Sequence, residues 1–323
     1  MEFLFRSAVC FQQIGTMDTK RWLSWNNDET LRLALKKFGR TQKQLNQDMQ
    51  IMKDWLKTQH HLPETGSDSL IKNFLLVNKC SIEQTKQKMD MYYTIRHLMP
   101  EIYEHSNMNL SHMKKVADDI YFFPLPRRTE EGYRVSVAKI LSTNTENFDF
   151  YTCLAYGFNC MEVRLQEDII FEDVFIIDFI NIRLSHIFKV SPFHLKKMVT
   201  ILEKVFSNKM RQFHFVNCPP IAVNSINLLK QLMKPKLAQR TYVHEGVDTL
   251  ADIISLKVLP KDYGGLELSL SELNQIWQHK LEEFSDRFNV LEKLKTNEGL
   301  RPAALQNDEI LGYHGNFRKL DMD

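Results

Sequence analysis

The chain has 323 residues, which is long for one average domain and comfortable for two, and 43% of them are hydrophobic and 25% charged. Its formal net charge of +2 argues against a protein that binds nucleic acid or membranes over its whole surface, so any basic function has to be local. The five cysteines have no CxxC spacing, which is typical of reduced thiols in a cytosolic protein and excludes a disulfide framework or a zinc-ribbon site.

Neither a membrane span nor a leader peptide is predicted. No stretch approaches the roughly 18 consecutive apolar residues of a spanning helix. The opening MEFLFRSAVCFQQIG contains an acidic residue and lacks the long apolar run of a cleaved signal. We therefore expect a cytosolic protein in which residues 1–20 form a flexible N-terminus and either Met1 or Met17 is the natural start.

The sequence pattern of residues 21–115 predicts a helical domain. Residues 41–58 carry apolar side chains at helical spacing, namely Leu45, Met49, Met52 and Leu56. Ser67 or Asp68 is placed to cap the next helix, and Ser81 begins an S-x-x-Q capping box for the one after it. Pro100 ends that helix.

The sequence pattern of residues 116–268 predicts an α/β domain with a mostly parallel sheet flanked by helices. Four segments have the alternating or β-branched pattern of strands: 133–140, 174–179, 213–217 and 241–245. Helical segments lie between or after them: 151–166, 192–206, 221–233 and a last one around 250–256. Residues 269–323 form one long amphipathic helix, 269–294, followed by a loose tail beyond Thr296.

No catalytic, metal or cofactor site emerges from the motifs. GxGxxG, GxxxxGK[ST] and GxSxG are all missing from the sequence. His186, His214 and His244 fall in or beside strands, and we interpret them as structural because none has a second ligand at helical spacing. Asp178 ends a buried strand where α/β folds place ligands, but its expected role is to cap the following loop. We therefore do not expect an enzyme.

Two features remain for a binding function. The middle of the α/β domain is rich in large apolar side chains that could line a pocket on one sheet face: Tyr151, Leu154, Phe158, Phe175, Ile177, Met198, Ile201, Leu202, Phe206, Phe213, Ile221, Ile226, Leu229 and Met233. From Lys204 to Arg240 the chain carries seven basic residues and no acidic one. This patch is either a solvated face or a site for a phosphate-bearing partner.

Four segments resemble the CRAL-TRIO family of lipid-binding proteins. LPKDYGG (259–265) resembles the LPxEYGG motif that closes the family's lipid domain. The segments 73–96 (NFLLVNKCSIEQTKQKMDMYYTIR), 174–188 (VFIIDFINIRLSHIF) and 213–219 (FHFVNCP) are similar to family segments in order and spacing. The resemblance runs from about residue 30 to 285.

This resemblance implies a helical N-terminal domain followed by a lipid-binding cavity. The sheet forms the floor of this cavity, and a mobile gate helix, here about Pro220–Met233, closes it. In a tocopherol-carrying member, basic residues beside the gate hold a phosphatidylinositol bisphosphate head group. The matching positions are all basic in this chain: Lys209, Arg211, Lys236 and Arg240. The family has a fifth basic position, an arginine in its N-terminal helical segment. This chain has Leu76 and Asn78 at that place, and Lys79 is the neighbouring basic residue. Two further pocket positions are Ala155 and Asn159, where the tocopherol carrier has serines.

The resemblance therefore implies a monomeric cytosolic carrier that binds one tocopherol-, retinoid- or carotenoid-like ligand and needs no cofactor. Its partners would be this hydrophobic molecule and phosphatidylinositol bisphosphate in an anionic membrane, without nucleic acid. Two alternatives stay open: a phospholipid exchange protein of the same fold, and a protein-interaction or regulatory module without transfer activity.

Overall fold

The computed structural model describes residues 22–23, 27–206 and 210–302. The predicted flexible N-terminus, residues 1–20, lies outside these ranges, as does Lys209. In the described part of the N-terminal region the chain is helical: α1 (Asn27–Phe38), α2 (Gln42–Lys57), α3 (Asp68–Val77), α4 (Ile82–Leu98), α5 (Pro100–Tyr103) and α6 (Ser111–Asp119).

Side-chain caps begin two of these helices, and the one at Ser67 confirms the prediction. Thr41 accepts a hydrogen bond from the Gln44 amide while the Gln44 side chain accepts one from the Thr41 amide, and Ser67 caps α3. The capping box predicted at Ser81 is wrong. Ser81 is the N-cap of α4, but its ψ of 110° differs from the 161° and 160° of the other two caps, and its hydroxyl accepts no helix amide.

The second region is built on a five-stranded sheet of order β1–β2–β3–β4–β5, with helices between its parallel strands. The strands are β1 (Ile120–Arg128), β2 (Arg134–Ile140), β3 (Asp173–Asp178), β4 (Met210–Val216) and β5 (Thr241–Val243). Between and after them lie α7 (Phe150–Glu167), α8 (Leu184–Phe188), α9 (Pro192–Ile201), a π-helical turn (Leu202–Phe206), α10 (Pro220–Leu232) and α11 (Pro235–Ala238). Strands β2 to β5 are parallel, which confirms the predicted mostly parallel α/β architecture.

Strand β1 is an element that the sequence pattern did not predict. Its prolines, Pro124 and Pro126, argue against a central strand because proline cannot donate to a sheet ladder. The structure places β1 at the edge of the sheet, antiparallel to β2, with a register shift between Pro124 and Arg128. A strand at the edge of a sheet pairs on one side only, so it tolerates prolines that a central strand would not.

Helix α7 joins the two regions. It contacts α3, α5 and α6 on one side and β1 on the other. At its end the fully buried carboxylate of Asp168 accepts hydrogen bonds from Arg134 (2.7 Å) and Arg164 (3.0 Å) and pairs with Arg128. This ion cluster ties the turn after α7 to strands β1 and β2.

The C-terminal part differs from its prediction in three places. The last helix expected around 250–256 is a short 3₁₀ turn, Asp248–Asp252. The long helix breaks at Phe284 into α12 (Leu270–Glu283) and α13 (Ser285–Leu291). Residues 297–302, expected as the start of a loose tail, pack on α4, where Arg301 donates two hydrogen bonds of 2.8 Å to the Asp90 carboxylate.

The LPKDYGG segment forms a tight turn that needs its glycines. Gly264 has a φ of 75°, in the left-handed region that favours glycine. A Cβ on Gly265 would lie 1.8 Å from the Leu259 carbonyl oxygen, so no other residue fits without moving the backbone. Tyr263 of this turn donates a hydrogen bond of 3.0 Å to Asp178, which anchors the turn to the carboxyl end of β3.

Candidate functional site

A cluster of apolar side chains lies between the sheet and helices α9 and α10. We call it the sheet–gate cluster, and its buried members are Phe175, Leu195, Val199, Met210, Phe213, Phe215, Ile226, Leu229 and Met233. Its floor is aromatic, because the rings of Phe175 and Phe213 stack at 5.4 Å between centroids on neighbouring strands. Predicted pocket residues contribute Phe175, Phe213, Ile226, Leu229 and Met233 as buried members and Ile177, Met198 and Leu202 as partly buried neighbours.

Helix α10 roofs this cluster and coincides with the predicted gate, Pro220–Met233. Its buried face carries Ile226 and Leu229, while Ile221 in its first turn is 46% exposed and does not reach the cluster. The chain enters the helix through Asn217, whose φ of 54° is left-handed, and through two consecutive prolines. The entry is therefore a stiff, sharply turned connection from β4.

Asp178 holds this connection at the carboxyl end of the sheet. Its buried carboxylate accepts hydrogen bonds from the Ile180 amide (3.0 Å), the Asn217 side chain (2.8 Å) and Tyr263 (3.0 Å), and the Lys139 ammonium lies 3.2 Å away. The contact with the Ile180 amide agrees with the predicted loop cap. The other partners show a wider structural role, since one carboxylate ties the gate entry to the LPKDYGG turn.

Other predicted pocket residues lie elsewhere. Ile201 is fully buried in the main core, and Tyr151 and Leu154 pack at its margin. Four more line a separate cleft of about 470 Å³ between the N-terminal helices, α7 and α13: Ala155, Phe158, Asn159 and Phe206. There Asn159 donates a hydrogen bond of 2.6 Å to the Ser106 carbonyl. The predicted set is thus divided among the sheet–gate cluster, the core, the cleft and the surface.

Three of the four predicted phosphoinositide residues lie at the amino ends of β4 and β5, and Lys209 lies outside the described residues. Arg211 is the extra residue of a β-bulge, and its guanidinium lies 5.7 Å from the centre of the Tyr133 ring. Arg240 directly precedes β5, where its carbonyl accepts a hydrogen bond from the Phe213 amide. Lys236, one helical turn before Arg240, is exposed on α11.

The basic stretch is partly balanced by the acidic residue just before it. Lys234 lies 3.4 Å from the Glu203 carboxylate. Lys88 of α4 donates to the Glu203 carbonyl, and burial, together with the Lys234 and Lys204 charges, lowers the pKa of Lys88 to about 8. The count of basic residues from Lys204 to Arg240 leaves out Glu203, so it overstates the net positive charge of this part of the surface.

A group of exposed apolar residues beside the gate was not singled out from the sequence. Phe188 is 78% exposed, and the other members of this apolar patch are Ile180, Leu184, Phe193 and Ile221. Helix α8, which carries two of them, contacts α10. Their sequence signal was available, because positions 180, 184 and 188 are apolar at helical spacing and no acidic residue occurs between 179 and 202.

The strand histidines have protein partners. His214 is fully buried in β4 and shares a hydrogen bond of 3.0 Å with His244, and burial, aided by His244, lowers the pKa of His214 to about 4. His186 accepts a hydrogen bond from the Arg183 amide. Among the described residues no group of three or more His, Cys, Asp or Glu side chains could hold a metal ion.

No helix in the described ranges combines the length and the apolar character needed to cross a bilayer. Comparison with known protein families then shows which class of protein this chain resembles. Residues 118–265 match the family described as CRAL/TRIO domain, and residues 41–113 match the family described as Pinta-like, UBA domain.

Curated relatives agree with this match. The alpha-tocopherol transfer protein-like protein of Mus musculus is 24% identical over 277 residues, covering 81% of this chain and 80% of that protein. Clavesin-1 of Xenopus laevis is 23% identical over 246 residues, covering 74% of this chain and 73% of its own length. A crystal structure of Sfh5 matches with a TM-score of 0.45 and 12% identity, covering 80% of this chain and 99% of that one.

Residues 118–265 of this chain are therefore a CRAL-TRIO domain, and the resemblance found in the sequence is confirmed. Its helical N-terminal region followed by a mostly parallel α/β domain is the predicted fold. Membership supports lipid binding and transfer in general, and proteins of this family are generally non-enzymatic.

Proposed function

We propose that this protein is a cytosolic carrier that holds one hydrophobic ligand between its sheet and helix α10 and releases it at membranes that contain phosphoinositides. The observation that carries the proposal is the sheet–gate cluster, a continuous apolar layer between the aromatic floor of the sheet and helices α9 and α10. The ligand would be tocopherol-, retinoid- or carotenoid-like. The name of the mouse relative favours tocopherol; Ala155 and Asn159, which stand where the tocopherol carrier has serines, line the cleft and not the sheet–gate cluster.

Burial of such a ligand explains why release needs a membrane. Each buried CH₂ group contributes about 0.8 kcal/mol, so a dozen groups contribute roughly 10 kcal/mol before the costs of binding. Spontaneous loss into water is then slow. Opening of α10 at a bilayer replaces water by lipid as the receiving phase, which removes this barrier.

The surface beside the gate supports docking on a bilayer. The apolar patch around Phe188 offers side chains that can enter the interface, and Arg183 and Lys189 flank it in a segment without acidic residues. Lys236 and Arg240 would add attraction to phosphoinositide head groups, at about 1 kcal/mol for each basic residue near the surface. The apolar patch follows the carboxyl ends of β3 and β4, whereas Lys236 and Arg240 lie before β5, so the two contributions come from different ends of α10.

Liposome flotation separates these two contributions. We expect the wild-type chain to float with vesicles that contain phosphatidylinositol 4,5-bisphosphate and to bind them more tightly than matched neutral vesicles. The double variant Lys236→Glu/Arg240→Glu should lose about tenfold or more of this preference. Phe188→Ser should weaken binding to both vesicle types, without a folding defect, because the side chain is mostly exposed.

A matched control carries the same charge change elsewhere. Lys36 and Lys43 are exposed on α1 and α2, so Lys36→Glu/Lys43→Glu should float like the wild type. Equal flotation of the wild type and of the Lys236/Arg240 variant on both vesicle types would overturn the phosphoinositide part of the proposal. A carrier that exchanges phospholipid instead would show phospholipid, and not an isoprenoid, in its organic extract.

A further inference from the structure

The turn between α8 and α9 carries a sequence pattern that lipid carriage does not use. Ser191 is followed by Pro192, and this is the chain's single serine–proline or threonine–proline pair. Protein kinases of the proline-directed class act on a serine that proline follows. Because proline keeps the residue before it out of the helical region, the backbone of Ser191 is extended, with a φ of −79° and a ψ of 160°. This is the form in which a kinase binds its substrate.

The segment around this serine lies at the surface. Phe188 is 78% exposed and Phe193 is 44% exposed, and Lys189 and Pro192 are exposed as well. Ser191 itself is half-buried and belongs to the connection between the last residue of α8 and the first residue of α9. A kinase therefore meets the serine in a surface turn and not inside a helix or strand.

Ser191 also lies within the apolar patch that the proposed function places against a bilayer. It is three residues from Phe188 and two from Phe193, so even a fully extended chain keeps it within about 10 Å of each. A serine phosphate carries a charge of about −1.5 to −2 at pH 7. Entry of the two rings into the interface would bring this charge to the lipid surface, where it loses hydration and is repelled by anionic head groups.

Two neighbouring lysines already serve other partners. The Lys189 ammonium donates to carbonyls of the loop before α7, including that of Glu146 at 3.2 Å. Lys197 pairs with Glu101 of α5, and its side chain is 14% exposed. Pairing with a phosphate on Ser191 would cost either lysine its present contacts. The added negative charge is therefore not cancelled by the closest cations in the fold.

The same modification is compatible with helix α9. Ser191 is the N-cap of this helix, and its hydroxyl oxygen accepts a hydrogen bond of 3.3 Å from the His194 amide. A phosphate oxygen can accept from the same amide, and the positive end of the helix dipole favours negative charge at this position. Phosphorylation would therefore change the docking surface and leave the fold in place.

We propose that Ser191 is a phosphorylation site for a proline-directed protein kinase and that its phosphate weakens docking of the apolar patch on membranes. In this step the Ser191 oxygen attacks the γ-phosphorus of ATP, and the bond from that phosphorus to the β,γ-bridging oxygen breaks. ADP leaves, and the hydroxyl proton passes through the kinase to solvent. The effect on docking rests on the proposed membrane function, whereas the modification itself does not.

Phosphate uptake is measured first, on the full chain with a cyclin-dependent kinase and magnesium ATP. We expect one phosphate per chain by intact-mass spectrometry, placed on Ser191 by fragmentation, and none at this position in Ser191→Asn. Asparagine is a good N-cap, so this variant keeps the start of α9. The site is overturned if Ser191 takes up no phosphate under conditions that fully phosphorylate a peptide of residues 186–196.

Flotation with vesicles that contain phosphatidylinositol 4,5-bisphosphate then measures the effect on docking. The phosphorylated chain should bind about tenfold or more weakly than the unmodified chain. Ser191→Asp and Ser191→Asn are both good N-caps and differ by one charge, so the aspartate variant should bind about fivefold more weakly at an equal melting temperature. The same pair of substitutions at Ser67, the exposed N-cap of α3, should bind alike.

The two proposals fail by different results. Equal flotation of the phosphorylated and unmodified chains would overturn the effect on docking. A wild-type chain that floats with no vesicle type would defeat the proposed membrane docking and this effect together. Phosphate uptake at Ser191 is measured without vesicles, so the modification site stands or falls by that result alone.

Discussion

Three arginines converge on one carboxylate at the end of α7. Burial by itself raises the pKa of Asp168, but the charges of Arg128, Arg134 and Arg164 outweigh burial and hold that pKa well below its usual range. A carboxylate in this state stabilises the fold fully above the pKa of about 3.9 that it has in the unfolded chain, and the contribution is lost as pH falls toward the folded pKa.

Asp168→Asn should lower the free energy of unfolding by about 3–5 kcal/mol, because it leaves buried guanidinium groups without their counter-charge. Urea titration followed by circular dichroism measures the loss. The exposed pair of Asp54 and Lys57 provides the control, and Asp54→Asn should leave the urea midpoint where it is. A variant at Asp168 as stable as wild type would show that the arginine cluster contributes nothing.

His214 should make stability depend on pH in the mildly acidic range. Its pKa of about 4 in the fold is lower than the value near 6.5 in the unfolded chain, so the unfolded state binds more protons between these values. Stability is therefore complete above pH 6.5 and falls as pH drops toward 4. His214→Leu should flatten this part of the urea-midpoint profile, and an unaltered slope in the variant would contradict the assignment to His214.

At the scale of the elements, helix caps give a matched comparison. The Ser269 hydroxyl accepts a hydrogen bond from the Glu272 amide at the start of α12, and the Glu272 carboxylate accepts one from the Ser269 amide. Ser81 occupies the same position in α4 without such a bond. Ser269→Ala should cost about 1 kcal/mol of stability and Ser81→Ala only a few tenths, measured by urea unfolding. Equal losses would mean that the hydroxyl contact at Ser269 is not what stabilises α12.

The elements show where the sequence was sufficient. Periodicity located α2, α7, α10 and the four parallel strands, because each follows a simple apolar pattern. Strand β1 escaped detection because its prolines oppose strand pairing everywhere except at a sheet edge, and edge position is a property of the whole sheet. The packing of residues 297–302 depends on contacts with α4 that no local pattern contains, and no pattern in the sequence marked the break at Phe284.

The candidate site could likewise be predicted from the sequence only in part. Apolar composition identified side chains that meet in the sheet–gate cluster, but it could not separate them from Phe158 and Phe206, which face the cleft. Phe158 lies on α7, where every residue from Ala155 to Leu165 is buried, so the sequence of this helix does not show which neighbour each face meets.

On the scale of the whole molecule, the C-terminal segment 297–302 packs on the helical N-terminal region. Arg301 donates two hydrogen bonds to Asp90 and one of 2.7 Å to Thr94, and its side chain is 7% exposed. A chain that ends at residue 296 should therefore melt roughly 3 °C or more below a chain that ends at residue 302. Calorimetric scans of the two chains decide this, and identical melting temperatures would show that residues 297–302 do not contribute to stability.

The central claim is that the sheet–gate cluster holds one hydrophobic molecule. Native mass spectrometry of the purified chain, paired with organic extraction, tests it most directly. The account predicts a single nonpolar molecule bound at one per chain, absent after extraction and regained when tocopherol, retinoid, carotenoid or another offered lipid matches the pocket. A chain that is empty as purified and takes up none of these lipids, nor any phospholipid, would contradict the carrier function and favour a protein-interaction module.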